Sequence, residues 1–179
     1  MRYYTGIGAH ATPLDVLDLM GAIARYFAGQ GFVLRSGGSP GADVAFELGC
    51  GEGRKEIYVP WAGFNGNASP LAMTDDLMGR IVGSGVWQAL REALAGETPP
   101  VDLDAVPEEQ RRLYARDVCQ VLGADLISPS ERIVCWTPPS GEPEGTRIAV
   151  YVARDVGIPI DDLSDPAVKE RWRRLVENQ

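Results

Sequence analysis

Apolar and polar positions along this chain switch repeatedly between a period near two and a period near 3.6. "RYYTGI" at the start is β-prone and ends in the glycine turn "GIGAH". After it, "TPLDVLDLMGAIARYFAGQG" carries its apolar residues at helical spacing. Thr12 fits the N-cap of this helix, Pro13 its first position and Asp15 the acidic side of the capping pattern. Leu17, Met20, Ala24 and Phe27 share one face, and "GQG" supplies the stop.

A second strand, "GFVLRS", leads through "RSGGSPGAD" into a short helix, "GADVAFELGCGEG", and a third strand, "KEIYVP", stops at Pro60. Strand, helix, strand, helix, strand at this spacing predicts right-handed crossovers, a mostly parallel sheet and helices on its faces. From "WAGFNGNASP" to "GETPPVDLDAVP" the pattern weakens into loops and one or two short helices, including "DDLMGRIVGSGVWQALREALAG". We read the stretch at about 61–112 as an elaboration between sheet strands, since it is too short to bury a core of its own.

Beyond it, "PEEQRRLYARDVCQVLGADL" is helical, with Leu113, Val118 and Leu122 as core positions. "ERIVCWT" is a fourth strand, "RIAVYVARDVG" a helix, "IPIDDL" a last strand and "DPAVKERWRRLVENQ" an amphipathic tail. The expectation is therefore a single α/β domain over 1–179, a Rossmann-like three-layer fold.

The chain has 179 residues, 45% of them hydrophobic, and its 21 glycines and 13 prolines fit a turn-rich single domain. No apolar run is long enough to cross a bilayer, and "MRYYTGIGAH" lacks a secretory core, so the expectation is a cytoplasmic protein with no membrane partner. Cys50, Cys119 and Cys135 lack CxxC spacing and have only His10 to join them, which reads as three buried thiols and no metal site.

The net charge of −8 opposes broad electrostatic attraction to nucleic acid. Basic clusters at Arg54 with Lys55, at Arg111, Arg112 and Arg116, and in "KERWRR" interleave with acids and read as solvated helix faces.

Chemistry concentrates where glycines gather. "TGIGAH", "RSGGSPGAD" and "WTPPSGEPEGT" each end a predicted parallel strand and lead into a helix, and open α/β sheets bind ligands along that edge. Glycines let the main chain approach a ligand, and N–H groups at the helix starts offer partial positive charge to phosphate. In the second loop Gly37, Gly38 and Gly41 shape the turn, Ser36 and Ser39 offer hydroxyls, and Asp43 orients a ribose or caps the helix. Equally, the glycines could serve a tight turn alone.

Other signals are weaker. "GIGAHA" matches GxGxxA, but Arg35 and Ser36 stand where a nicotinamide enzyme carries an acid, and no GxxxxGKS or GxxxxGKT motif is present. His10 is placed to contact phosphate or move a proton, or else merely to polarise a turn. Trp61 and Trp136 are placed to stack on a base or to pack at strand ends.

Together these blocks resemble the SLOG superfamily, which groups the DprA/Smf recombination mediators with LOG-type nucleotide hydrolases. The nearest resemblance is to small DprA-like proteins of phages and prophages. It covers most of the chain through "YYTGIGAHATP", "LRSGGSPGADVAFELG", "KEIYVPWAGFNG", "ARDVCQVLGADLISPSERIVCWTP" and "GTRIAVYVARDVGIPIDDL".

The resemblance implies that the glycine-rich edge binds a nucleotide, a nucleotide-derived signal or a single nucleic-acid strand, with no separate cofactor. The positions carried over are Thr5, Gly6 and Gly8 in the first loop, and Ser36, Gly37, Gly38, Gly41 and Asp43 in the second. The third contributes Thr137, Gly145 and Thr146. LOG-type enzymes resemble PGGxGTxxE in the last loop, whereas this chain reads "PEGTRIA", with Glu144 at a glycine position and Ala149 at the catalytic glutamate position.

The leading expectation is accordingly a non-catalytic binder of nucleotides, with Glu144 facing solvent or paired with Arg147. Single-stranded DNA binding in recombination is one alternative. The other is an N-glycosidic enzyme in which Asp43, Glu47 or His10 replaces the missing acid. "YVARDVG" and the tail with Trp172 and Leu175 offer a homodimer surface or internal packing.

Overall fold

The computed structural model describes residues 1–139 and 144–178, residues 144 and 145 by backbone alone. Six strands form one parallel sheet: β1 (Tyr3–Gly6), β2 (Val33–Ser36), β3 (Lys55–Val59), β4 (Leu71–Ala72), β5 (Ile133–Cys135) and β6 (Ile160–Asp162). Their order across the sheet is β4-β3-β2-β1-β5-β6. Among the described residues seven α-helices connect and follow them: α1 (Leu14–Gly29), α2 (Ala42–Cys50), α3 (Asp75–Val82), α4 (Gly85–Ala95), α5 (Glu108–Leu122), α6 (Glu144–Asp155) and α7 (Pro166–Glu177).

The three-layer expectation holds, and strand alternation explains it. In β5, Ile133 and Cys135 face one core and Val134 the other; in β3, Ile57 and Val59 face opposite to Tyr58. One core joins the sheet to α1, α2 and α7 through Met20, Ile23, Phe27, Phe46 and Trp172. The other joins it to α3, α4, α5 and α6 through Ile81, Trp87, Leu94, Val118 and Ile148. Strands buried on both faces read as continuous apolar runs, as "FVL" and "IVC" do. The three cysteines are buried in these cores.

Several local expectations need correction. Thr12 does not cap α1: the cap residue is Pro13, with no side-chain cap, and the Thr12 hydroxyl donates instead to Ala9 O at 2.6 Å. The core face of α1 centres on Val16, Leu19, Met20, Ile23, Ala24 and Phe27, leaving Leu17 half-buried, as Leu113 is in α5.

The 61–112 stretch contains an edge strand, β4, that pattern reading misses because two residues show no periodicity. Its helical part is two helices, separated where Ser84 accepts the Trp87 N–H as the N-cap of α4. Leu77, Ile81, Trp87, Leu90, Leu94 and Leu103 from this stretch belong to the same core cluster as α5 and α6.

Trp172 of α7 packs internally, 5.4 Å from the Phe27 ring and 6.1 Å from Tyr26. No described helix is long and apolar enough to cross a membrane.

Candidate functional site

The strand order reverses direction at β1, whose neighbours are β2 on one side and β5 on the other. Loops leaving β1 and β5 therefore diverge to opposite faces, opening a crevice at the C-terminal edge. Glycine packing shows how tightly the loops meet there. Gly41 has φ +85°, and a methyl group on it would lie 2.7 Å from His10 O and 2.8 Å from Ala9 O, so the β2 loop rests on the main chain of the β1 loop. A methyl on Gly8 would lie 2.8 Å from Ala42 Cβ and 3.2 Å from both Trp136 N and O, which wedges the β1 loop between the start of α2 and the end of β5.

The residues singled out from sequence divide into two groups. Some are spent on the scaffold. Thr5 Oγ1 bonds to Gln120 O at 2.6 Å and to Ser130 Oγ at 2.8 Å, fully buried under α5. Ser36 Oγ donates to Gly6 O at 2.7 Å and ties the ends of β1 and β2 together. A methyl on Gly6 would strike the Phe46 ring at 2.5 Å, so this glycine serves the packing of α2. Thr137 donates its N–H and its hydroxyl to the Asp162 carboxylate, bracing the exit of β5 against β6.

The others border the crevice. Gly37, Gly38 and Gly41 form the β2 loop, with Gly38 at φ +66° and Gly41 at +85°. Thr146 is buried in the first turn of α6, beside Gly145 of the same turn. The preceding segment "SGEP", and any side-chain role of Glu144, lie outside the described residues. Arg147 pairs with Glu97 at 2.6 Å. Ala149 is fully buried among core residues of α5 and α6.

Asp43 stands at the centre. It is 4% exposed, and its Oδ2 accepts the Ser39 N–H at 3.2 Å. Burial pushes its carboxyl up to about 6 against the opposing pull of Arg116, the Ser39 amide and His10. Glu47, by contrast, is engaged by Lys55 at 3.4 Å and by Asn67 Nδ2 at 3.1 Å, and His10 is exposed.

Arg116 corrects the solvated-face reading. Its side chain is 6% exposed; Nη1 donates to Gly37 O at 3.0 Å and Ser39 Oγ at 3.1 Å, while Nη2 pairs with Asp117 at 2.8 Å. Arg116 and Gln120 stand four apart among the apolar positions 115, 118, 119 and 122, and that polar pair on a buried face is the signal that could have found them. Arg35 is likewise drawn into the scaffold, 2% exposed, with Nε 2.7 Å from Glu56 and its guanidinium 3.6 Å over the Tyr3 ring.

The β3 loop closes the far side. Asn65 Nδ2 donates to Gly38 O at 3.4 Å, and Trp61, 40% exposed, packs edge-on against Phe64 at 5.3 Å. The Phe64 ring lies 5.9 Å from the Arg116 guanidinium. This loop thus borders the β2 glycine loop through Asn65 and carries the part-exposed Trp61 ring beside Phe64. Such a ring can stack on a planar group, and the crevice offers main-chain amides and a carboxylate to a polar group.

No protein-family model and no curated protein matches the chain in sequence. In structure it is similar to DNA processing protein A from Helicobacter pylori, described for its single-stranded DNA binding mode, with TM-score 0.53, 12% identity, 99% of this chain covered and 81% of that one. It is also similar to TM1055, a Northeast Structural Genomics Consortium target, with TM-score 0.49, 15% identity, and coverage of 89% and 72%. At this identity the likeness to the Helicobacter protein is one of fold. It agrees with the SLOG resemblance at that level.

Proposed function

We propose that this chain binds a nucleotide or nucleotide-derived small molecule in the crevice between its β1, β2, β3 and β5 loops. The interlock of Gly41 with the His10 main chain and of Gly8 with Trp136 carries the reading. It fixes these loops against one another at the point where the sheet reverses, which is where open α/β sheets receive ligands. Trp61 of the β3 loop supplies a stacking surface, and the first turns of α2 and α6 supply N–H groups. The fixed loop edge supports the binding reading; a role in phage–host signalling rests on the family resemblance alone.

The test is a thermal-shift panel of nucleoside mono-, di- and triphosphates, ADP-ribose and cyclic nucleotides on the wild type and Gly38→Asp. Asp tolerates a positive φ, and the nearest atom to a new Cβ is the Asn67 side-chain amide at 3.0 Å, so the variant is expected to fold. A ligand at ~100 times its dissociation constant stabilises by ~2.7 kcal/mol, a shift of several degrees. A shift confined to one nucleotide class and lost in the variant supports the reading. Silence across the panel sinks it.

A second reading, single-stranded DNA binding, is favoured by the fold likeness to DNA processing protein A. Its signature is oligonucleotide affinity that falls steeply with salt. Undetectable oligonucleotide binding at low salt removes it, and the net charge of −8 works against it.

A further inference from the structure

A cavity lies at the other end of the sheet. Arg2, Phe32 and Arg132 each stand one residue before a strand, β1, β2 and β5, so the parallel pairing gathers them at the edge opposite the glycine loops. The last turn of α1 and one side of α7 complete an open cavity of about 930 Å³, within the size range of small-molecule sites. Its floor is aromatic: Phe27, Phe32 and Trp172 are buried and Tyr26 half-buried, with the Phe27 ring 4.9 Å from Phe32 and 5.4 Å from Trp172. Its walls are basic. Arg2, Arg132, Arg171 and Arg174 line it against the single carboxylate of Glu170. Arg2 is held by Glu131 and Arg174 by Glu170, but Asp161 serves two guanidinium groups, Arg132 and Arg171, and also accepts the Trp172 indole N–H at 3.1 Å. These paired groups therefore leave one positive charge unmatched, in a chain whose net charge is −8. "KERWRR", which reads as a solvated face, places Arg171 and Arg174, three apart, over this cavity.

We propose that this cavity is a second ligand site, independent of the glycine edge, and that it takes a singly charged aromatic anion, a planar ring system bearing one carboxylate. Ring against ring contact with the aromatic floor stabilises such a ligand beyond the area it buries. Guanidinium groups stack on aromatic faces as well as pairing with carboxylates. Two of these already lie over rings, Arg2 4.0 Å from the Phe32 centroid and Arg132 5.9 Å from that of Trp172. One unmatched charge balances one carboxylate. A polyanion would have to compete with Glu131, Asp161 and Glu170 for the same guanidinium groups, and an uncharged ring would leave the charge unanswered.

Calorimetric titration with 2-naphthoate, and with 2-naphthamide as its uncharged counterpart, tests this on the wild type, Arg171→Gln and Arg80→Gln. The Arg171 side chain is 57% exposed, and its loss leaves Asp161 to Arg132 and Trp172, so the variant is expected to fold. Arg80→Gln removes the same charge from α3, in the other layer. The expected result is saturable binding of 2-naphthoate, at least about tenfold tighter than 2-naphthamide, weakened at least about fivefold in Arg171→Gln and unchanged in Arg80→Gln. No saturable heat with millimolar 2-naphthoate, equal affinity for the amide, or an equal loss in both variants would overturn the proposal. If Arg171→Gln does not fold, Arg174→Gln, at a side chain 74% exposed, takes its place. The glycine edge has no part in this site, so failure here leaves the nucleotide reading standing, and silence in the nucleotide panel leaves this site standing.

Discussion

Arg116 lies buried beneath Gly37, its Nη1 3.0 Å from the Gly37 carbonyl, so the conformation of the glycine loop is held by a side chain 79 residues downstream in a different layer. The same guanidinium pairs with Asp117 at 2.8 Å, with both side chains almost fully buried. A glycine loop with three glycines is conformationally permissive by itself. What fixes its shape is the brace.

Arg116→Met should therefore cost about 3–5 kcal/mol, because it breaks a buried ion pair with Asp117, and it should weaken nucleotide affinity as the loop loosens. Arg116→Lys keeps the charge but loses the two-armed geometry, and should fall between. Denaturant melts of the three proteins check the order. Equal stability of wild type and Arg116→Met would show that the brace carries nothing.

Gly41→Ala should destabilise more than Gly38→Ala. Both positions have positive φ, but a methyl at Gly41 meets main-chain oxygens of His10 and Ala9, which cannot move alone, whereas at Gly38 it meets the end of the Asn67 side chain. We expect about 1 kcal/mol or slightly more for Gly38→Ala and at least about 1 kcal/mol beyond that for Gly41→Ala. Denaturation midpoints compare them directly, and the reverse order would contradict the loop packing described.

Asp43→Asn should raise stability at neutral pH. The folded carboxyl is pushed up to about 6 from an ordinary value of 3.8, so ionising it is harder in the folded chain than in the unfolded one. That penalty is fully present above pH 6 and vanishes below the unfolded value. The advantage of the variant, on the order of 1–3 kcal/mol after the weaker bond to Ser39 is discounted, should shrink as pH falls from 6 to 4. Melting both proteins across this range measures it; a pH-independent difference would mean that Asp43 is not the group responsible.

Trp61→Ala should leave stability within about 1 kcal/mol, since the ring is 40% exposed, yet reduce nucleotide affinity by the ~1–3 kcal/mol of a base stacked on an aromatic ring. Calorimetry on the two proteins reads this. Unchanged affinity would put the base elsewhere.

The periodic parts of this fold were legible from residues alone. "VLRS" and "IVC" are buried on both faces and flanked by helices with clear apolar stripes, so the parallel sheet and its layers followed. Leu71–Ala72 could not be seen, since its strand character comes entirely from register with Tyr58 and Val59.

The site was legible as a place and less so as chemistry. Glycines marked the right edge, but Thr5, Ser36 and Thr137 turned out to bond inward to Gln120, Gly6 and Asp162. Arg116 looked like surface because it is clustered in sequence with Arg111 and Arg112, which are only half-buried, and the tertiary placement of α5 is what takes it fully inside. A hydroxyl or guanidinium in a sequence announces that it can donate. It does not announce to whom.

The narrow ends of the sheet carry a last consequence. β4 has two residues and follows Pro70; β6 has three, follows Pro159 and contains Asp161 and Asp162, whose carboxylates are held by Arg132, Arg171 and Thr137. Short, proline-preceded and charged borders offer little template for an incoming chain to continue the ladder. Stacking of copies border to border is thus disfavoured from both sides. Any oligomer of this protein is expected to be built through helices or loops, and at high concentration the folded protein should resist fibril formation.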